Sequence, residues 1–478
     1  MKKLVIYIFA LTACLTVTGC VVEPTNQANK NTVASPLPSA TASPLAEDKA
    51  ASTVPLTLPV LDAFFADEYF SGALKTRLQL TDEQVTKLKD LAHSETAKLN
   101  EENAGNGERE SSNARSVAAE KISALIGAEK TRQLAVLVGE RWSGATDEGS
   151  DKTAVQPTNP NNLAGTPNAV PTDSRIVVNA PAYRMDVFDG GRLIKSYKIG
   201  IGYPQFPLPT GLRKASVIIV NPTWTPPDEP WVAKMKDISA GEKVAAGSKL
   251  NPLGPIKIPI GGPSLIHGGK SPAKLGTFAS HGCVGLTTPQ IQDFAKLLAQ
   301  LGGAQLTDAA LSDYARDKTQ TKQIKLDQPV PVELRYETII VEDGKLHIYR
   351  DVYDQETNSE ENLRAVLEAN GVRLDDLTEE ERTQVLDALA QMSGKSGVGA
   401  VGPKESPSPI ASPRSSSPAE RKSNSGKKTT AVVKNQKEVV IEIAALKGKG
   451  YPSPVAFDTG SGKTRATLPS PPKREKQP

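Results

Sequence analysis

Between Ile176 and Ile260 the chain is cut into short apolar or alternating runs, each closed off by Gly, Pro or Asn: Ile176–Asn179, Met185–Phe188, Leu193–Ile201, Val217–Val220 and Ile256–Ile260. Runs of this length suit strands, and the turn residues between them stop any one run from growing into a helix. A succession of short strands can bury its apolar faces only against itself. The spacing therefore predicts a mostly-β unit, a β sandwich or barrel with a few helices. One helix is expected within it at Ile291–Leu301, where Ile291, Phe294, Leu297, Leu298 and Leu301 make an apolar stripe and Pro289 stands near the start.

The flanks differ in character, so the chain reads as multidomain. Leu56 to Trp142 is helical in pattern; Thr81 with Gln84 forms a capping box, and Val85, Leu88 and Leu91 continue a helical stripe. Residues 143–171 form a Pro/Asn/Thr/Gly linker. Beyond the β unit, residues 356–393 hold two short helices, the second capped by Thr378 with Glu381. Residues 394–478 read as a mostly disordered basic tail in which Glu438 to Leu446 is one isolated apolar run. The basic tail suits an anionic polymer, although a lysine-rich segment is ordinarily just solvated.

The N-terminus predicts export. Met1-Lys2-Lys3 is followed by an apolar stretch, Leu4 to Leu15, too short to remain as a spanning helix, and then by Val17-Thr18-Gly19-Cys20. This resembles a bacterial lipoprotein signal, which implies removal of residues 1–19 and acylation of Cys20 as the membrane anchor. Val21, rather than Asp, resembles the outer-membrane class of such proteins, facing the periplasm. Residues 20–55, rich in Thr, Ala, Ser, Pro and Asn, would be the tether. Fifty-seven basic and 54 acidic residues leave a net charge of only +3, which does not by itself point to nucleic acid, and export excludes that partner.

The chain holds three cysteines, Cys14, Cys20 and Cys283, and four histidines, His93, His267, His281 and His347. Cys14 leaves with the signal and Cys20 is acylated, so Cys283 has no partner for a disulfide. Two of the histidines accompany it, in Leu265-Ile266-His267-Gly268-Gly269 and Ser280-His281-Gly282-Cys283. A thiol becomes a nucleophile when an imidazole takes its proton and holds the ion pair, and backbone amides beside it can bind the oxyanion of a tetrahedral intermediate. His267 and His281 are the candidate bases, and the Gly282 and Cys283 amides the candidate oxyanion donors. Two competing readings are a zinc site, for which the ligand spacing of paired His or Cys is missing, and histidines that are merely structural.

His267, thirteen intervening residues, and then His281-Gly282-Cys283 preceded by Ser280 resemble the signature of the L,D-transpeptidases with a YkuD-type catalytic domain. The resemblance extends through Ser174–Asn179 and Tyr183–Gly191, Pro207-Leu208-Pro209-Thr210-Gly211, Asn221–Pro227, Tyr336-Glu337-Thr338 and Asp351-Val352-Tyr353, covering about residues 172–355. It implies a mostly-β fold and an enzyme that acts on peptidoglycan stem tetrapeptides through a cysteine thioester, with no metal or organic cofactor. Cys283 would be the nucleophile, His267 the base and the Gly268 carbonyl its orienter. His281 would line the oxyanion side with Gly282, while Ser280 fixes the loop. The acceptor would be a neighbouring stem, a lysine of a wall-anchored protein, or water, the last giving carboxypeptidase activity; carbapenems would acylate the same thiol. One position departs from the family: Gly285 stands where Arg or Asn is usual. With the long flanks, this departure leaves a second function open, a catalytically inactive wall-binding scaffold.

Overall fold

The structure is a computed structural model that describes residues 56–99, 110–143, 166–228, 230–233, 235–393 and 436–461. The expected signal and tether, with Cys20, and most of the 143–171 linker lie outside the described residues.

The apolar runs at 176–260 fall in one eight-stranded sheet, except that the run Leu193–Ile201 divides after Lys198 and its end, Ile201, joins a separate strand pair. In chain order the sheet's strands are β1 (Arg175–Asn179), β2 (Arg184–Asp189), β3 (Arg192–Lys198), β5 (Gly211–Val220), β6 (Ile256–Pro259), β7 (Leu265–His267), β9 (Val284–Gly285) and β10 (Lys322–Arg335); β4 (Ile201–Gly202) and β8 (Phe278–Ser280) form the separate pair. The spatial order is β3-β2-β1-β10-β5-β6-β7-β9. The pairings β1–β10 and β7–β9 are parallel and the remainder antiparallel. The sheet curls until its ends meet: Gly200, just past β3, exchanges two 2.9 Å backbone hydrogen bonds with Gly285 of β9. Curling hides both edges of the sheet near the site, which a flat sheet would leave open to other chains.

Inside the curl lies the main core, including Val178, Met185, Tyr197, Ile218, Ile258, Ile266, Val332 and Leu334. The expected helix follows β9 one turn earlier than its stripe suggested. Designated α7 (Thr288–Leu301), it is capped by a reciprocal Thr287–Gln290 box and buries Ile291, Phe294, Ala295 and Leu298. Such a cap is worth about 1 kcal/mol. It fixes the point at which the chain leaves β9 and turns into the helix.

Two further cores surround this one. The N-terminal helices are α1 (Leu58–Phe65), α2 (Glu68–Arg77), α3 (Asp82–Thr96), α4 (Glu110–Ile126) and α5 (Ala128–Ser143), packed around Leu61, Phe70, Leu88, Ile122 and Leu134. The Thr81–Gln84 box opens α3. Helix α6 (Pro230–Ala233) is a single turn, and α8 (Asp308–Arg316) follows α7. The third core joins α9 (Glu360–Ala369) and α10 (Glu379–Met392) to a small sheet, β11 (Ile339–Glu342), β12 (Lys345–Tyr349) and β13 (Glu438–Glu442).

Of the tail expected to be mostly disordered, residues 394–435 and 462–478 lie outside the described residues, and the described part, 436–461, departs from that expectation. Residues 436–461 are built into the molecule: β13 pairs along β12, and residues 455–458 run beside β3 through Ser196 N–H to Val455 O and Lys198 N–H to Asp458 O, both 2.9 Å. A lone apolar strand has no stable existence in water, so Ile441 and Ile443 find burial against the helices of the third core. A buried charge network ties the same segment to the main sheet. Arg184 bonds Asp186 (2.8 Å), Glu342 and the Pro452 carbonyl (3.1 Å), and its guanidinium lies 5.4 Å from the Tyr451 ring centre.

Candidate active site

The histidines and the cysteine come together because β7 and β9 are parallel neighbours. His267 ends β7 opposite Gly285, and Cys283 is the residue before β9. His267 is buried, 3% exposed, and its Nδ1 lies 2.8 Å from the Gly268 carbonyl. A carbonyl can only accept, so Nδ1 carries the proton and Nε2 keeps its lone pair. Burial, with the positive charge of Lys270 adding to it, lowers the His267 pKa to about 3, against the opposing pull of the Gly268 and Leu253 carbonyls. The resting imidazole is therefore neutral. Burial thus works against the imidazolium of the thiolate–imidazolium pair that the histidine–cysteine motif suggests.

Cys283 is half-buried, with Sγ 3.9 Å from the Pro263 carbonyl. Its loop is fixed by Ser280, whose hydroxyl accepts the Cys283 N–H at 3.0 Å and donates to the Cys283 carbonyl at 2.5 Å. The Cys283 amide, expected to face an oxyanion, is engaged by that hydroxyl in this structure. Gly282 lies at the tip of the loop in left-handed backbone, φ +87°.

His281 is held by two aromatic rings that the sequence did not single out. Tyr203 and Phe206 meet it edge to face, with ring centres 5.4 and 4.8 Å away. Burial, and then Lys270, lower its pKa to about 4, so it too is neutral at physiological pH. The signal in the sequence is two aromatics among prolines, Tyr203-Pro204-Gln205-Phe206-Pro207, just before the Pro209-Thr210-Gly211 turn. The run is anchored from three directions. Thr57 donates to the Gln205 carbonyl at 2.5 Å, Ser111 donates to that of Pro204, and the Tyr353 hydroxyl donates to that of Gly202 at 2.9 Å.

A narrow cleft runs beside the loop, lined by Pro207, Pro209, Pro263, His281 and Gly282, with Val60 and Ala63 of α1 as its far wall. A larger cavity of about 270 Å³ lies between α7 and α8, lined by Asp293, Lys296 and Asp308, and none of the motif residues border it. Trp224 is buried, and its backbone pairs with that of Val244. Among the described residues no three His, Cys, Asp or Glu side chains converge in a way that would hold a metal ion.

The buried neutral state of His267 makes stability pH-dependent. The unfolded chain takes up a proton below about pH 6.5, whereas the folded protein does so only near 3. Stability from this group is thus complete above pH 6.5 and is lost as pH falls toward 3. Urea unfolding at pH 7 and pH 4.5 should show a larger loss for the wild type than for His267→Asn; equal losses would mean that His267 is not held neutral.

Residues 173–330 match the family model of the YkuD L,D-transpeptidase catalytic domain. No curated protein matches the chain. Solved structures similar to it include the catalytic domain of the E. faecium L,D-transpeptidase, at 16% identity over 35% of this chain and 100% of that one, with a TM-score of 0.22. An Ldtfm–avibactam carbamoyl enzyme is also 16% identical, over 34% of this chain and 49% of its own, with a TM-score of 0.22. The L,D-transpeptidase of Mycobacterium smegmatis is 14% identical over 34% and 58%, with a TM-score of 0.21. The chain thus spans about half the length of the avibactam-bound enzyme. The match to the YkuD L,D-transpeptidase catalytic domain model covers about a third of the chain, residues 173–330.

Proposed function

We propose that the protein is a cysteine-dependent L,D-transpeptidase acting on peptidoglycan stem tetrapeptides. The observation that carries this reading is the His267 tautomer, which leaves Nε2 as a base on the strand paired with the Cys283 strand. As the Cys283 sulfur attacks the carbonyl carbon of the third stem residue, its proton passes to His267 Nε2. With a neutral resting imidazole, this transfer accompanies formation of the C–S bond rather than preceding it. The tetrahedral intermediate collapses with release of the terminal D-alanine, whose amine takes the proton from His267. An acceptor amine then attacks the thioester, gives its proton to His267 and frees Cys283. A neighbouring stem as acceptor gives a cross-link, a protein lysine gives anchoring, and water gives carboxypeptidase activity.

Ser280 and the Tyr203–Phe206 pair act as positioning residues for Cys283 and His281, and Gly282 supplies an amide on the oxyanion side. The substrate lies outside the cytoplasm, and Cys20 as a lipid anchor would place the enzyme beside it.

The test is intact-mass analysis with a disaccharide tetrapeptide and, separately, with a carbapenem. A transient adduct lacking one alanine, followed by transfer to an added stem amine, is expected. The same spectrum on membrane-extracted protein reads whether the chain begins at acylated Cys20. A folded protein that forms no adduct with either compound is instead a wall-binding scaffold.

A further inference from the structure

Gly285 lies two residues beyond Cys283 and opposite His267, so a side chain there would leave the strand on the face those two residues use. That space is occupied from another direction. A Cβ on Gly285 would stand 2.8 Å from Lys270 Cγ, 3.0 Å from Cε and 3.4 Å from Cδ, so the Lys270 stem lies across the glycine. Its backbone is held in register by the Lys270 N–H, which donates to the Leu286 carbonyl at 3.0 Å. The side chain is half-buried, its stem lies against the residue paired with His267, and its positive charge lowers the pKa of both His267 and His281. A cation in that position attracts an anion bound beside the thiol, and more strongly than it would in bulk water.

We propose that Lys270, carried over the strand by the absence of a side chain at Gly285, is the anion anchor of this site and positions a carboxylate of the acyl donor beside Cys283. The identity of the donor rests on the transpeptidase reading above; the anchor itself does not. The two residues form a coupled pair, because any side chain at 285 evicts the lysine stem.

The experiment compares alkylation of Cys283 by iodoacetate, an anion, with alkylation by neutral iodoacetamide, read at the Cys283 peptide by mass spectrometry. The iodoacetate-to-iodoacetamide rate ratio is expected to fall about tenfold in Lys270→Gln and to stay near the wild-type value in Lys270→Arg, the size expected for one nearby charge. Gly285→Ala, whose methyl displaces the stem, should lower the ratio too and supplies the comparison if Lys270→Gln does not fold. An unchanged ratio in folded Lys270→Gln overturns the anchor, even where tetrapeptide turnover is normal. A lowered ratio in a protein without turnover upholds the anchor and counts only against the transpeptidase reading. Where turnover is present, Lys270→Gln should raise KM for the tetrapeptide more than it lowers kcat.

Discussion

Cys283→Ala is expected to abolish both the thioester adduct and transpeptidation, with turnover falling to the uncatalysed background. The sulfur makes and breaks the only covalent bond between enzyme and substrate in the proposed cycle. Ser280, the nearest hydroxyl in sequence, is 5% exposed and has both its donor and its acceptor role taken up by the Cys283 backbone. His267→Ala should fold and keep its thiol but acylate about 10²–10⁴-fold more slowly, the usual contribution of a positioned general base. The ordering is the informative result. If His267→Ala were as fast as the wild type, the base would lie elsewhere and the Nδ1–Gly268 hydrogen bond would serve structure alone. If Cys283→Ala retained turnover, the thioester cycle itself would be wrong.

The second large effect is predicted for Gly202→Ala, a change remote from the motif in sequence. A methyl there would lie 2.0 Å from the Phe206 carbonyl oxygen, and 3.1 and 3.2 Å from the Gly282 Cα and N. All three are backbone atoms, so no rotamer change relieves the overlap. Gly202 is also fixed from both sides, by register with Ser280 of β8 and by the Tyr353 hydroxyl on its carbonyl. Relief has to come from the 203–206 turn, which carries Tyr203 and Phe206 away from His281. Overpacking of this kind costs typically 1–3 kcal/mol, and more where backbone must move. The expected outcome is a lower urea midpoint together with a loss of Cys283 acylation greater than destabilisation alone explains. Wild-type stability and reactivity in this variant would mean that the turn is not tied to the cysteine loop.

Much of the site is legible in the amino-acid sequence. His267, His281 and Cys283 stand out because imidazoles and thiols are scarce in this chain and cluster in one stretch. The strands β1, β2 and β6, the helix α7 and the capping boxes at Thr81 and Thr378 are legible because each depends on residues within a few positions of one another. Other parts of the fold are not. Strand β10 contains Pro329 and Pro331, which argue against a central strand. The structure accommodates both: Pro329 falls in the register shift between Lys325 and Val330, and Pro331 precedes Val332, where pairing with β1 begins.

What the sequence determined by itself was local: short strands with turns between them, capped helices, and a thiol flanked by histidines in a loop of small residues. The tertiary structure alone decided which strands became neighbours. The parallel β7–β9 pairing sets His267 beside the cysteine strand, and the curl that joins Gly200 to Gly285 closes the sheet around the site. It also decided that residues 455–458 cover β3, that Tyr203 and Phe206 flank His281, and that the Lys270 stem crosses Gly285. The physical reason is the same throughout. Periodicity and capping report interactions across one turn or one pleat, whereas strand pairing and close backbone approach are contacts between distant segments, won by the best total burial and leaving no periodic mark on either partner.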